Sequence, residues 1–433
     1  MLEILNWPEL DPATRRAVLE RPAVSLDASI RSDVADILAA VRRDGDAALY
    51  ALTEKLDRST LHSLRVGAEE FSAAEAAMPE DALAAIDLAI ANVRAFHEAQ
   101  MPQPLAVTTM PGVLCERRYH PIDSVGLYVP AGTAPLPSAA IMLAVPASLA
   151  DCPTRILCTP PRPDGTADPA VLVAASRAGV EEIYKLGGAQ AIAAMAYGTA
   201  TVPKVSKVFG PGNAWVTSAK TQVSADPQGA AIDMPAGPSE VLVLADESAS
   251  PEFVAADLLS QAEHGIDSQV MLVTTAPRLA DRVALEIESQ LAELSRADIA
   301  REAMAHSRAI VVGTLNAAVE VSNAYAPEHL IVQTREPRAL LGDIRNAGSV
   351  FLGPWSPESV GDYCSGTNHV LPTYGFARNY SGLGLDQFMR SMTVQELTAD
   401  GLAALGDAVI TLAGLEGLDA HAQAVSRRLG GLT

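Results

Sequence analysis

The sequence predicts an α/β protein with two lobes, each built on a parallel sheet with helices on its faces. From Ser124 onward, short apolar runs such as VGLYV and RILCT alternate with longer helical patterns, as parallel strands and their crossover helices do. Only 4% of the 433 residues are aromatic, while alanine, valine and leucine are abundant, which is usual for helices packed on parallel strands. We expect one lobe to be interrupted in sequence by the other, with small helical segments at both ends.

Charge and cysteine content narrow the class of protein. The 52 acidic and 31 basic residues give a net charge of −21, which argues against nucleic-acid and anionic-membrane partners because phosphate binding needs clustered Lys and Arg. The opening residues MLEILNWPEL lack the basic and apolar regions of a secretory signal. The four cysteines are too scattered for a disulfide framework or a thiolate zinc cluster, namely Cys115, Cys152, Cys158 and Cys364. We expect a cytoplasmic protein.

Residues 1–24 are expected to form a separate helical segment. The stretch DPATRRAVLERP has helical character and should end before Pro22, since proline cannot continue a helix. A segment this short cannot bury a face by itself, so it should lean on another part of the protein or on a partner subunit.

Residues 25–123 are assigned, together with residues 235–381, to a discontinuous first α/β lobe. Helical apolar spacing begins at about Ser32, and a second long helical region runs from about Ala68 to Gln100. His97 lies in a charged part of that region, so we expect it at the surface. The strands of this lobe come later in the chain, at VLVLA, SQVMLVTT, RAIVVGT, EHLIVQT and SVFLGP.

Residues 124–234 are expected to form the second lobe. Strands at VGLYV, RILCT, EEIYKL and KVSKVF alternate with helices, the first of which runs from Pro137 to Leu149 and contains Pro146. The loop from Gly210 to Trp215 is not a dinucleotide fingerprint, because Trp215 occupies the place of the third glycine. Its backbone amides still suit a diphosphate, although an ordinary tight turn explains the glycines equally well.

The stretch IDMPAGPSEVLVLADESASPEFVAADLLSQAEHG contains the first candidate metal ligands. A turn around Pro235 leads into the buried strand VLVLA, and Ser250 begins a helix that stops at Gly265. Gln261 and His264 stand three residues apart, so both project from one face of the last helical turn, where unpaired carbonyls favour a cation. A solvated helix cap is the alternative, and spacing alone favours the cap.

Two further clusters could carry chemistry. Glu328 and His329 follow Pro327 at the entrance to a strand, where a loop-like backbone lets adjacent side chains serve one site. Both have pKa values that proteins adjust for proton transfer, although a solvated loop is the alternative reading. After the strand SVFLGP, a glycine-containing loop of the kind on which α/β proteins place ligands carries Asp362, Cys364, Asn368 and His369.

Residues 382–433 are expected to form a helical tail domain. The segment EGLDAHAQAV places Glu416 and His421 on or beside the last helix. Taken alone, this helix would pass for an ordinary surface helix.

Taken together, these stretches resemble the histidinol dehydrogenases, the enzymes that complete histidine biosynthesis. The resemblance covers nearly the whole chain and lies in segments that follow the family's order: VGLYVPAGTAPLPS, KVFGPGNAWVTSAK, AAIDMPAGPSEVLVLAD, DLLSQAEHG, YAPEHL, GSVFLGPWSPES and GDYCSGTNHVLPT. Two small departures are Ile266, where the family usually has proline, and Cys364, where a small residue such as alanine is common. Neither removes a proposed ligand or base.

The resemblance implies a role for each candidate residue. It implies a zinc site formed by Gln261, His264, Asp362 and His421, and a catalytic pair formed by Glu328 and His329. It implies substrate contacts from Ser239, Gln261, His264, His329, Asp362, His369, Glu416 and His421. It implies NAD contacts from Tyr128, Gln190 and Asn213. Every one of these positions carries the family's residue type.

The implied reaction is the NAD-linked, four-electron oxidation of L-histidinol to L-histidine through histidinaldehyde. Zinc would grip the imidazole and amine of the substrate and orient it more than activate it. His329 would take the alcohol proton as the first hydride leaves, and Glu328 would activate the water that attacks the aldehyde. The family also implies a homodimer with two incomplete Rossmann-like lobes per subunit, and terminal segments swapped so that His421 reaches the neighbouring subunit's site.

Three other functions remain open from the residues alone. A zinc hydrolase would use metal-bound water, and the absence of an HExxH motif is only mild evidence against it. A thiol-dependent aldehyde dehydrogenase would use Cys364 as its nucleophile. A ligand-binding protein would bind histidinol without turning it over.

Overall fold

The computed structural model describes residues 2–21, 28–131, 134–234 and 237–430. The predicted turn residue Pro235 and the predicted domain boundary between residues 24 and 25 lie outside these ranges. Within them the strands are β1 (Glu3–Asn6), β2 (Leu105–Met110), β3 (Val113–Pro121), β4 (Ser124–Tyr128), β5 (Thr154–Thr159), β6 (Glu182–Lys185), β7 (Lys207–Phe209), β8 (Ala231–Ile232), β9 (Glu240–Ala245), β10 (Gln269–Thr274), β11 (Arg308–Val311), β12 (His329–Gln333), β13 (Ser349–Leu352) and β14 (Met389–Leu397).

The helices connect these strands and cover their faces. They are α1 (Pro12–Val18), α2 (Ala28–Asp44), α3 (Asp46–Leu52), α4 (Ala68–Ala77), α5 (Glu80–Glu98), α6 (Pro137–Leu149), α7 (Pro169–Arg177), α8 (Gly188–Tyr197), α9 (Ala214–Ala225), α10 (Pro251–Ala262), α11 (Pro277–Leu291), α12 (Ala297–Ala305), α13 (Leu315–Tyr325), α14 (Glu358–Tyr363), α15 (Ala399–Leu415) and α16 (Asp419–Leu429). Among the described residues, no helix has the length and apolarity needed to cross a membrane.

The larger sheet has six parallel strands in the order β1-β11-β10-β9-β12-β13. The central strands β9 and β10 are buried along their whole length, because helices cover both faces of a parallel sheet. Alternate residues of β9 point to opposite faces: Val241 and Val243 pack toward α10, α11 and α12, while Leu242 and Leu244 pack toward α13. The strands predicted for this lobe are confirmed.

The second sheet has five parallel strands in the order β6-β5-β4-β7-β8. Helices α6 and α7 cover one face, and α8 and α9 cover the other. Pro146 lies inside α6, as the sequence analysis expected. The two parallel α/β sheets confirm the predicted fold class.

The helices of residues 28–98 lie beside the five-stranded sheet. Helix α2 packs against α8 and α9, α4 packs against α7, and α5 packs against α6. The prediction that residues 25–123 belong to the other lobe differs from this packing, because helical spacing identifies an apolar face but not the surface that covers it. These contacts place the helices of residues 28–98 with residues 124–234 instead. The exact domain boundaries stay a prediction.

His97 was expected at the surface, and that expectation is wrong. It lies on α5 in one stripe with Ile86, Ile90 and Val93, which faces the core, and it is fully buried. Its Nδ1 lies 2.8 Å from the Val93 carbonyl oxygen, and its Nε2 lies 3.3 Å from the Asn368 amide nitrogen. Charged neighbours in sequence concealed this stripe.

Both ends of the chain contain strands that the sequence analysis did not predict. Residues 389–397 were expected to be helical, but β14 pairs antiparallel with β3, which also pairs with β2 in a three-stranded sheet. The side chains of β14 are largely exposed, so its sequence has no apolar alternation to reveal it. At the other end, β1 adds to β11 of the same chain, so the N-terminal segment leans on its own subunit here.

Candidate active site

The candidate catalytic groups collect at the amino-terminal edge of the six-stranded sheet. His329 is the first residue of β12, Glu328 directly precedes it, and Glu240 is the first residue of the neighbouring strand β9. Asp362 was expected on a loop after a strand. It lies instead in the last turn of α14, which returns the chain to the start of β12, and its Oδ1 is 3.4 Å from His329 Nε2.

The backbone of Glu240 contacts both members of the predicted catalytic pair, Glu328 and His329. The Glu240 backbone N–H donates to Glu328 Oε2 at 2.8 Å, and the Glu240 carbonyl oxygen lies 3.1 Å from His329 Nδ1. Because a carbonyl oxygen only accepts, Nδ1 carries the hydrogen in this contact. His329 Nε2 is then left facing Asp362, buried and without a hydrogen-bond partner.

The pair lies in a region that is rich in carboxylates. Burial raises the pKa of Glu328, and the adjacent His329 only partly opposes this rise. Burial acts against the charged form of His329, but the Glu328, Asp362 and Glu358 carboxylates outweigh it and raise the pKa of the imidazole. A cation bound among these groups would offset the surplus negative charge and lower the pKa of His329 again.

Three of the four predicted zinc ligands lie in this cluster. Gln261, in the last turn of α10, is buried, and its Oε1 has no hydrogen-bond partner. Burial lowers the pKa of His264, which favours the neutral imidazole that binds metals. Burial would raise the pKa of Asp362, but the adjacent His329 and the charges of His369 and His264 outweigh it and lower the pKa, so the carboxylate is ionised. This donor set fits a divalent cation.

The predicted substrate residues divide into two groups. Ser239 lies immediately before β9, next to Glu240, and the charge of His369 interacts with Asp362, His329 and His264, which places His369 in the cluster. Glu416 follows α15 and His421 lies on α16, and both are exposed. No hydrogen bond, ion pair or charge interaction found among the described residues joins either of them to the cluster. Nor do any three His, Cys, Asp or Glu side chains among the described residues form a group that could hold a metal ion within one chain.

Sequence reasoning missed two buried acids beside the site. Glu358 stands four residues before Asp362 on α14, accepts from Ser260 Oγ at 2.7 Å, and has its pKa raised to about 8 by burial. That i, i+4 spacing was the available signal. Glu240 accepts two 2.8 Å hydrogen bonds from Arg21, whose guanidinium stacks 3.8 Å above the Tyr325 ring. Nothing in the local sequence pointed to this long-range pair.

The predicted NAD residues lie in the other lobe, at the carboxyl ends of its strands. Tyr128 ends β4, and its hydroxyl accepts from the Gly188 N–H at 3.0 Å. Gln190 lies in the first turn of α8 and donates from Nε2 to Asp57 Oδ2 at 3.2 Å. Asn213 caps α9 by accepting from two backbone N–H groups. Parallel α/β folds bind ligands at this edge, where the strand order reverses between β4 and β7.

The Gly210 loop is shaped by close contact with β4. Gly210 has a φ of +124°, and a side chain there would collide with the Tyr128 carbonyl. A buried ion pair between Lys220 and Asp233 holds the loop from both sides. Lys220 donates to the Gly210 carbonyl at 2.7 Å, and Asp233 accepts from the Gly210 N–H at 2.8 Å. The glycine thus serves a built loop at the start of α9 and not an ordinary surface turn.

Comparison with known proteins agrees with this geometry. The sequence profile named Histidinol dehydrogenase matches residues 19–429. A histidinol dehydrogenase of Vibrio cholerae is 58% identical over 98% of this chain and 97% of its own. One of Xanthomonas euvesicatoria is 56% identical over 99% of each chain. The crystal structure of histidinol dehydrogenase from Elizabethkingia anophelis superposes with a TM-score of 0.95 at 44% identity, covering 100% of this chain and 98% of that one. The chain belongs to the histidinol dehydrogenase family.

Proposed function

We propose that this member of the family is an NAD-linked, zinc-dependent oxidoreductase that converts L-histidinol to L-histidine through histidinaldehyde. The carrying observation is the convergence of Gln261, His264 and Asp362 on the Glu328–His329 pair, from elements far apart in sequence. In balance, one histidinol, one water and two NAD give one histidine, two NADH and three protons. The net charge of −21 supports our expectation of a cytoplasmic enzyme without nucleic-acid or membrane partners.

The zinc would be held by Gln261, His264 and Asp362, with His421 of the partner subunit as the fourth ligand. The unpartnered, buried Oε1 of Gln261 supports this assignment, because a buried amide oxygen without a donor is costly unless a ligand satisfies it. When bound, the metal supplies a fixed positive charge that binds and orients the substrate's imidazole and amine. His369, Ser239 and Glu416 would complete the substrate contacts.

His329 is suited to take the alcohol proton in the first oxidation. Its Nδ1–H is directed at the Glu240 carbonyl, so the ring orientation and tautomer leave Nε2 as the basic nitrogen. As that proton moves to Nε2, the carbon-bound hydrogen leaves as hydride to NAD, and histidinaldehyde results. Asp362, 3.4 Å from Nε2, would stabilise the imidazolium that forms.

Glu328 is suited to activate water in the second oxidation. Its Oε2 is held by the Glu240 N–H, and burial raises its pKa, so it is a stronger base than an exposed glutamate. Water would add to the aldehyde carbon as one of its protons passes to Glu328, which gives the hydrate anion. This anion would lose a second hydride to a second NAD, and the carboxylic acid so formed ionises and releases the third proton. The added water oxygen remains in the carboxylate of histidine.

NAD would bind along the carboxyl edge of the five-stranded sheet, in contact with Tyr128, Gln190 and Asn213. The support is the built Gly210 loop at the N-terminus of α9, where backbone N–H groups favour a diphosphate. Tyr128 connects the two halves of this edge, since its backbone packs against Gly210 and its hydroxyl meets Gly188.

We infer a homodimer with shared sites from the tail. Glu416 and His421 have no partner among the cluster residues of their own chain, and the tail displays exposed leucines, including Leu412 at 61% and Leu415 at 81%. An apolar surface of this kind is typical of a subunit interface. A tail that reaches a second copy would bring His421 and Glu416 to that copy's Gln261, His264 and Asp362.

The proposal is tested by metal analysis combined with an assay of NADH formation on adding histidinol. We expect about one zinc per chain in the purified protein, and we expect turnover that a chelator removes and added zinc restores. Two NADH should form per histidine. Hydrolysis of amides without NADH formation would favour a zinc hydrolase, and stoichiometric histidinol binding without histidine formation would favour a binding protein.

A further inference from the structure

Asp57 lies at the end of the proposed cofactor edge that is formed by β5 and β6, although it comes from a distant segment of the chain. It is the last residue of a π-helical turn, Thr53–Asp57, which follows α3. Its Oδ2 accepts from Gln190 Nε2 at 3.2 Å. Its Oδ1 lies against Gly187, so closely that a Cβ at Gly187 would be 3.0 Å from that oxygen and 2.8 Å from Pro160 Cγ. Asp57 therefore lies beside the turn that follows β6, near the end of β5.

Two side-chain oxygens at this point have no protein partner. No hydrogen bond to Asp57 Oδ1 is found among the described residues, and Asp57 itself is half-buried. Gln190 is 1% exposed, and its Oε1 is buried without a hydrogen-bond partner. Acceptors left unsatisfied beside a glycine turn at a strand edge are suited to bind a ligand with hydroxyl donors.

The strand beside β4 has no acid at its carboxyl end, and Asp57 lies near that end. In dinucleotide-binding folds, an acid at the end of the strand beside the first one binds the adenosine ribose hydroxyls. The corresponding strand here is β5, which neighbours β4, and it is followed by Pro160 and Pro161, which carry no polar side chain. Asp57 and Pro160 both lie against Gly187, so Asp57 brings a carboxylate near the end of β5 from outside the sheet.

We propose that Asp57 binds the adenosine ribose of NAD and makes the enzyme select NAD over NADP. The inference rests on the proposed use of NAD and extends it to the choice between the two cofactors. Burial raises the pKa of Asp57 to about 6, so the side chain is mainly a carboxylate at neutral pH. A carboxylate accepts from the ribose 2′-hydroxyl and repels a 2′-phosphate.

The test compares wild-type enzyme with Asp57→Asn and with Glu54→Gln, an exposed acid on the same π-helical turn. Binding of ADP-ribose and of 2′-phospho-ADP-ribose is measured by titration calorimetry, and the KM of NAD, NADP and histidinol by turnover. Asp57→Asn should weaken ADP-ribose binding and raise the KM of NAD by about tenfold, the loss of a hydrogen bond to a charged acceptor. The preference for NAD over NADP should fall by a similar factor, while the KM of histidinol should not change. The Glu54→Gln variant should have the same affinities and KM values as wild type.

Several results would overturn the inference. One is an Asp57→Asn enzyme that binds ADP-ribose within about twofold of wild type. Another is a wild-type enzyme that binds 2′-phospho-ADP-ribose as tightly as ADP-ribose. This second result would overturn the inference even if the Asp57→Asn variant fails to fold. Failure of wild-type enzyme to reduce NAD with histidinol would instead reject the proposed function, and the ADP-ribose titration would still report on Asp57.

Discussion

Glu240 shows how one buried residue organises several functional groups. Its N–H and carbonyl orient Glu328 and His329, while its carboxylate accepts from Arg21 and from the Tyr374 N–H. These two adjacent residues, which we propose to be catalytic, can serve one site because both are held by the neighbouring strand. The sequence located the pair, since Pro327 and the strand EHLIVQT are local signals. It could not locate Glu240, whose side-chain partners Arg21 and Tyr374 lie 219 and 134 residues away in the chain.

Replacing Glu328 by glutamine separates the two oxidations. Glutamine keeps the acceptor for the Glu240 N–H but cannot take a proton from water. We therefore expect aldehyde oxidation to slow by about 100-fold or more, with a much smaller effect on alcohol oxidation. Single-turnover assays starting from histidinol and from histidinaldehyde measure the two steps. An equal loss in both would contradict the assigned role.

Replacing His264 by alanine tests the metal site directly. Loss of one ligand should weaken zinc binding by more than about tenfold and weaken histidinol binding with it. The matched control is His306→Ala, because His306 is an exposed histidine that also follows a helix. Zinc content after dialysis and a competitive zinc titration provide the measurement. Full metal content in His264→Ala would remove this residue from the ligand set.

Replacing Cys364 by alanine tests the thiol mechanism. Cys364 is only partly exposed and packs against the apolar core of the five-stranded lobe, so its role in the structure is packing. We expect Cys364→Ala to keep its turnover within about twofold of wild type, because no step proposed here needs a thiol. Steady-state rates on histidinol measure this, and complete loss of activity in a folded variant would support a thiol nucleophile.

Helix α10 links the core of the larger lobe to the candidate metal site. It begins at Pro251 with Ser250 before it, as predicted, and its last turn carries Gln261. Strong local signals such as Pro251 at the first helical position, and continuous apolar runs such as VLVLA, made the central elements predictable, although Ser250 makes no side-chain capping hydrogen bond. Elements without such signals were missed: β14 is mostly exposed, and β1 is a four-residue edge strand whose partner β11 lies about 300 residues away.

Asp257 on the buried face of α10 should make stability depend on pH. Burial raises its pKa to about 7, although the 2.6 Å hydrogen bond from Gln333 Nε2 opposes the rise. In the unfolded chain the carboxyl of Asp257 titrates at about 4. Its contribution to the free energy of unfolding is therefore fully present below that pH and is lost as the pH rises through about 7. Asp257→Asn should avoid this loss.

We expect the free energy of unfolding of Asp257→Asn to gain about 1 to 3 kcal/mol on that of wild type between about pH 4 and pH 8. Urea unfolding at several pH values measures the difference. The control is Glu252→Gln, an exposed acid on the same helix, which should show no such gain. A constant difference between Asp257→Asn and wild type across this range would contradict the prediction.

At the scale of the whole molecule, the two lobes divide the work. The six-stranded lobe presents the proposed catalytic and metal-binding groups at the amino edge of its sheet, while the five-stranded lobe presents the proposed cofactor groups at the carboxyl edge of its own. Helical spacing in residues 28–98 could not reveal which lobe those helices cover. Nor could it reveal that Asp57 lies beside Gln190, because both facts depend on contacts between distant segments.

Subunit mixing tests the shared site. If His421 serves the partner's site, a heterodimer of one Glu328→Gln chain and one His421→Ala chain contains one doubly altered site and one fully native site. Co-refolding equal amounts of the two weakly active variants should therefore restore about one quarter of wild-type activity. Mixtures of each variant with itself are the controls. Activity that stays at the level of the separate variants would show that each site is built from one chain.

The Arg21–Glu240 pair has a practical consequence for engineering. Its side chains are 10% and 2% exposed, and it ties the segment that follows β1 to the strand end whose backbone aligns the two bases. A label or fusion attached ahead of β1 will therefore strain the segment that Arg21 connects to Glu240, and with it the proposed active site. The outer face of α11, which carries exposed acids and Leu285, is a better attachment site for labels, because that surface faces away from the sheet.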